Sequence, residues 1–174
     1  MGTLKTTNIQ TITGSGTLTL GTSGETLALG SGVTSNLLYP SWMVYLSADV
    51  TGITENVYTK VQFDTEIYDT DNMYDNSTNY RVTIPTGKAG KYMVQSQVLS
   101  NSLSVNNSYR NRTAIYKNGS LFVYSFFDFR NNPVQQCSPN VSCIMDLAVN
   151  DYIEIFAQVD SVSGGTVAFR GEPP

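Results

Sequence analysis

A chain of 174 residues, 40% hydrophobic and only 14% charged, suffices for one domain of ordinary size plus an appendage. Its net charge of −4 and pI near 4.6 argue against nucleic acid and anionic membrane surfaces as partners, and no run approaches the ~18 apolar residues of a membrane helix. Histidine is absent. That removes Ser-His and Cys-His nucleophiles and nearly every zinc site, so no catalytic residue, metal or cofactor is expected.

Residues 1–37 stand apart. They are mostly Thr, Gly, Ser and Leu, with Lys5 and Glu25 the sole charges. Met1 to Gln10 are Thr-rich and lack an apolar h-region, which argues against a secretion signal. Thr17-Leu18-Thr19-Leu20-Gly21 returns nine residues later as Thr26-Leu27-Ala28-Leu29-Gly30. A unit this small cannot bury its leucines alone, so it is expected to stack or intertwine with other copies. A flexible Gly/Ser leader is the alternative, but a linker would avoid exposing leucines. The expected organisation is a β-rich stalk or attachment segment over 1–37 and a head domain over 38–174.

Strands are expected in the head at Ser41–Ala48, Thr59–Ile67, Asn72–Asp75, Asn79–Ile84, Gly90–Ser100, Arg110–Lys117, Ser120–Asp128, Asn140–Val149, Tyr152–Asp160 and Thr166–Gly171. The last but one shows the logic best. Ile153, Ile155, Ala157 and Val159 fall on one face, with Glu154 and Gln158 on the other, the period of a half-buried antiparallel strand. Asn118-Gly119 and Asn150-Asp151 punctuate the strands as turn formers that tolerate positive φ. No stretch has a helical period. Ten short strands without a helix imply an all-β sandwich or jelly roll. Tyr92-Met93-Val94 and the run from Leu121 to Phe127 are apolar on both faces and need a second covering layer, which in a small domain is often another subunit.

Two local questions stay open. Cys137 and Cys143 are spaced so that a disulfide is feasible, or they are unlinked thiols with Cys143 packed as a small apolar group. Asp69, Asp71 and Asp75 cluster in a Tyr/Asn-rich loop, yet the glycine at the sixth position and the closing Glu of a calcium loop are missing, so a solvated turn is expected.

The order Phe63-Asp64, Tyr80-Arg81-Val82 with Pro85, Gly90-Lys91-Tyr92, Ile115-Tyr116-Lys117-Asn118-Gly119, then Leu147 with Asn150-Asp151-Tyr152-Ile153 and a closing Phe169-Arg170-Gly171 resembles the globular head of complement C-one-q. The likeness spans Trp42 to Gly171. It implies the ten-stranded jelly roll that this head shares with the tumour-necrosis-factor ligands, and a homotrimer. Three departures stand out. Asn150-Asp151 replaces the usual Gly-Asp of the penultimate hairpin. Glu172-Pro173-Pro174 replaces an apolar tail and is expected to end the last strand early. No Gly-X-Y register exists, and the Thr/Gly/Leu repeat looks like leader segments of bacteriophage fibre and spike proteins. Without a secretory route the five Asn-x-Ser/Thr sequons (Asn76, Asn106, Asn111, Asn118, Asn140) stay unmodified.

The expected role is therefore a non-enzymatic virion protein, assembled in a host bacterial cytoplasm. It is a trimeric head attached to the particle through its N-terminal segment and used for adsorption. The alternatives are a capsid or tail decoration protein with passive loops and, remotely, a polysaccharide depolymerase with paired carboxylates. Alternating connections place the tight links Thr86–Ala89, Asn118-Gly119 and Asn150-Asp151 at one end. The long links near Val50–Tyr58, Asn101–Tyr109, Phe129–Pro139 and Ser161–Gly165 fall at the other. In the resembling family the termini lie at the tight-turn end, which would turn the long loops outward. Candidate ligand contacts there are Tyr109, Arg110, Arg112, Arg130, Asn131 and Asn132, suited to a host surface glycan or protein, with Tyr109, Arg110 and Arg112 suited to an acidic glycan.

Overall fold

The computed structural model describes residues 39–103 and 106–171; the stalk expected over residues 1–37 lies outside them. Among the described residues there are strands and no helix. In chain order they are β1 Trp42–Tyr45, β2 Thr59–Lys60, β3 Thr65–Asp69, β4 Tyr74–Asp75, β5 Arg81–Thr83, β6 Gly90–Gln97 and β7 Ser100–Ser102. There follow β8 Ser108–Lys117, β9 Ser120–Asp128, β10 Gln136–Cys137, β11 Asn140–Leu147, β12 Tyr152–Ser161 and β13 Val167–Phe169. All pair antiparallel. The outer sheet is ordered β4-β5-β12-β8-β9, with β2 also paired to β12. The facing layer comes in three pieces: β1 with β3, β6 with β11, and β7 between β10 and β13. Two packed layers of antiparallel strands with this connectivity make a jelly roll.

Alternation decides what fills the space between the layers. Along β6, Tyr92, Val94 and Ser96 are buried while Lys91, Met93 and Gln95 are exposed. Tyr92 and Val94 join Ile84, Ile115, Met145, Leu147 and Ile153 in one core cluster, and Leu46, Val61, Val98, Ala157 and Phe169 form a second. Phe63 and Ile155 touch both.

Several strand boundaries differ from the sequence reading, each for a tertiary reason. Thr59–Ile67 breaks into β2 and β3, because the chain crosses from one layer to the other. Val61 still donates to the Ile155 carbonyl at 2.9 Å, Phe63 fills the gap, and β3 then pairs with β1. Gly90–Ser100 splits at Val98, where the ladder changes partner from β11 to β13 and β10. The short β10 was not foreseen. β13 stops at Phe169, earlier than Gly171. Gly171 leaves the ladder to press on Ala48, where an added Cβ would lie 2.2 Å from the carbonyl oxygen.

The alternation read for β12 is right, but its polar face is not open to water. Glu154, Gln158 and Asp160 are all buried. β12 is a central strand, and long side chains from β2 and β8 lie across it. The turns do follow the sequence: Asn118 and Gly119 sit at φ +51° and +75°, and Asn150 at +69°. Cys137 and Cys143 are free thiols, each raised above its ordinary pKa by burial. In the acidic loop each carboxylate serves the fold. Asp69 accepts the Tyr74 N–H at 2.7 Å, Asp71 pairs with Lys88 at 2.7 Å, and Asp75 gathers the N–H groups of Ser77, Thr78 and Asn79.

Candidate functional site

The two ends of the head are distinct. At one end Asn118 donates to the Asp151 carboxylate at 2.8 Å and accepts the Tyr152 N–H at 2.9 Å, while Asn150 donates to the Ile84 carbonyl at 2.8 Å. The tight turns are thus tied together. The chain enters the head at this end: the Trp42 ring stands 6.1 Å from Tyr92, whose hydroxyl reaches the Lys88 carbonyl. The long loops meet at the other end. Val162 donates to Asn107 at 2.9 Å, Asn56 to Val159 at 3.1 Å, and Ser108 to Val134 at 2.9 Å.

On the outer face, the register of β12, β8 and β9 stacks side chains in rows. Asp160, Arg110 and Asp128 form the row at the loop end; Gln158, Arg112 and Phe126 form the next; Phe156, Ala114 and Tyr124 the third. Arg110 Nε donates to Asp160 Oδ2 at 2.8 Å, and its guanidinium stands 5.4 Å from the Tyr109 ring centroid. The Tyr109 hydroxyl and Asp160 together push the Arg110 pKa further up. Arg130 chelates Asp128, with Nη2 at 2.5 Å and the backbone N–H at 3.1 Å. That pairing holds the Asp128 carboxyl down at about 2.

Tyr109, Arg110, Arg130 and Val162 line a shallow cavity of about 310 Å³ at the loop end. Three of the six candidate residues therefore meet. Arg112 lies one row further in, where Nη1 donates to Gln158 Oε1 at 2.6 Å and the guanidinium faces the Tyr58 ring at 6.0 Å. Asn131 and Asn132 are exposed in the turn after Arg130, with the Asn132 N–H bound to the Phe129 carbonyl at 2.8 Å, and neither lines the cavity. They extend the loop rather than the site.

The sequence reading singled out Leu121–Phe127 as an apolar surface for a neighbouring subunit, but not the rings that gather around Arg112. Tyr116 and Phe156 rings lie 4.1 Å apart, Tyr58 and Tyr116 6.1 Å, and Tyr124 and Phe126 6.0 Å. Phe122, Tyr124 and Phe126 alternate along β9, and all three are about half exposed. That period of two was the available signal. Arg112 has no carboxylate partner among the described residues, and its buried Nε has no acceptor. The site offers ring faces, guanidinium donors and amides. Its carboxylates, Asp128 and Asp160, are each tied to an arginine. Such a set suits the binding of hydroxyls and sugar rings.

No protein-family model and no curated protein matches the sequence. Among solved structures, murine APRIL, determined at pH 5.0, matches with a TM-score of 0.51 at 12% identity, covering 78% of this chain and 100% of that one. Eiger, a tumour necrosis factor from S. frugiperda, matches with a TM-score of 0.45 at 9% identity, covering 77% of this chain and 91% of that one. The fold is the tumour-necrosis-factor-like jelly roll, and at these identities the likeness speaks of fold alone.

Proposed function

We propose that this chain is a non-enzymatic structural protein of a bacteriophage particle, a homotrimeric head that adsorbs to a glycan on the host surface. The observation that carries adsorption is the cavity of Tyr109, Arg110, Arg130 and Val162, set at the end of the head opposite to where Tyr39–Trp42 enter. The virion setting rests on the Thr/Gly/Leu repeat of residues 1–37. Within the jelly-roll class, the ordered motifs from Phe63-Asp64 to Phe169-Arg170-Gly171 favour the C-one-q heads.

Both guanidiniums of the cavity already carry their own carboxylates, so a ligand there meets hydrogen-bond donors and a ring face rather than net positive charge. Neutral sugar hydroxyls fit that balance better than a densely acidic polymer. One such site binds weakly, at about millimolar affinity. Three copies on a trimer raise avidity by about 10²–10⁴. The trimer is supported by an uncovered apolar pair: Met93 and Ile144 face each other across β6 and β11 and are 71% and 72% exposed.

The engagement of Arg110 and Arg130 by their own carboxylates also favours the second reading, a decoration protein with passive loops. Fluorescently labelled protein on a panel of bacterial cells separates the two. Replacing Tyr109 and Arg130 by Ala should leave the fold intact and reduce cell binding at least ten-fold. Wild-type protein that binds no cell, while antibody locates it on the capsid, would establish decoration instead. Release of reducing ends from host polysaccharide would overturn the non-enzymatic reading.

A further inference from the structure

A second cavity, of about 800 Å³, lies between β1 and β6. Its lining includes five consecutive residues, Trp42–Leu46, and six more, Val94–Leu99. A cavity against the face of a strand touches every second side chain, because successive side chains point opposite ways. Unbroken runs mean that two strand edges border it. The pairing agrees. Over these residues β1 ladders only with β3, and β6 only with β11, so each has a second edge without a strand partner among the described residues. The floor comes from Phe63, Tyr74, Val82, Ile153 and Ile155.

The two ends of this slot explain its origin. At one end β13 lies between the continuations of the same two segments. Phe169 exchanges hydrogen bonds with Val50 at 3.0 and 2.8 Å and registers with Ser100 on its other side. Arg170 then donates to the Leu99 carbonyl at 2.9 Å, beyond the end of β13 at Phe169. Pro173 and Pro174, further along the chain, have no N–H to continue it. At the other end the slot is closed by Trp42 against Tyr92. Among the described residues the space is the unfilled half of a strand position.

We propose that this slot accepts one extended polypeptide segment supplied by another protein, laid between β1 and β6 in the direction of β13. Five residues of strand span about 16 Å, which matches the run Trp42–Leu46. Two facing edges select a polypeptide over a lipid or sugar, since an extended backbone alone offers N–H and C=O groups alternately to both sides. The charge of the slot sets the side chains. Among its described lining residues the one cation, Arg170, is paired with Asp49 at 2.6 Å, so residues facing the floor should be apolar and those facing outward neutral. This inference is independent of the adsorption reading.

The test titrates the intact protein with a synthetic peptide of about eight alternating Val and Thr residues. Trp42, the sole tryptophan, lines the slot and reports through its emission. A saturable change is expected, together with slowed amide exchange in Trp42–Leu46 and Val94–Leu99. The same peptide methylated on alternate backbone nitrogens keeps its side chains and loses ladder donors, and should bind at least ten-fold more weakly. Equal binding of the methylated peptide would show apolar filling alone and overturn the strand reading. No change in emission or exchange at about millimolar peptide would overturn the site.

Discussion

Replacing Met93 and Ile144 together by Asp should convert the proposed trimer into a folded monomer. The two side chains are cross-strand neighbours on the water-facing side of β6 and β11, at 71% and 72% exposure in the single chain. Full burial of a side chain of this size contributes about 1.5–3 kcal/mol, so covering the exposed part contributes about 1–2 kcal/mol each. Over three subunits the pair contributes about 6–13 kcal/mol, a large part of the ~16 kcal/mol that two associations of micromolar affinity require. Aspartates at both positions remove that contribution and place six carboxylates in the interface, which must be desolvated without partners. Neither side chain belongs to the interior clusters, so the jelly roll should keep its circular dichroism. Sedimentation should give three times the 19.0 kDa chain mass for the wild type and the chain mass for the variant. A variant that remains trimeric would refute this interface, and a wild type that sediments as a folded monomer would refute the trimer.

Three further outcomes follow from the geometry. Gly119→Ala places a Cβ at φ +75° and 3.3 Å from the Tyr152 hydroxyl, and should cost about 1–2 kcal/mol, lowering the thermal midpoint by about 2–8 °C; an unchanged midpoint would contradict the turn geometry. Asp151 is held down from 3.8 to about 2 by Lys117, Asn118 and the Ala148 N–H. Its folded pKa is depressed, so its stabilisation is present above about pH 4 and lost as pH falls towards 2. Thermal midpoints of wild type and Asp151→Asn should therefore differ at pH 6 and converge by about pH 2. Because Cys137 and Cys143 are free, a reductant should leave the thermal midpoint unmoved, and a thiol reagent should count two thiols in the unfolded chain.

The sequence by itself determined the class of fold and most of its punctuation. A period of two through Tyr152–Val159 and the Asn-Gly and Asn-Asp turns are local signals, set by backbone pleat and φ, and β9 runs over Ser120–Asp128 as read. The last strand was read to Gly171, and its earlier end at Phe169 is set by the contact of Gly171 with Ala48. Tertiary structure decided what local pattern cannot encode, namely partner and exposure. Thr59–Ile67 breaks only because its two halves ladder with β12 and β1 in different layers. Glu154 and Gln158 read as a wet face, yet neighbours cover them: Lys60 lies on Glu154 and Arg112 on Gln158. At the candidate site, the chain order brought Tyr109 and Arg110 together at once. Their convergence with Arg130, and the carboxylates Asp160 and Asp128 that balance both arginines, depend on registers between strands up to fifty residues apart. The slot between β1 and β6 was invisible in sequence for the same reason. It is an absence of pairing between two edges, and pairing is a property of the sheet rather than of either strand.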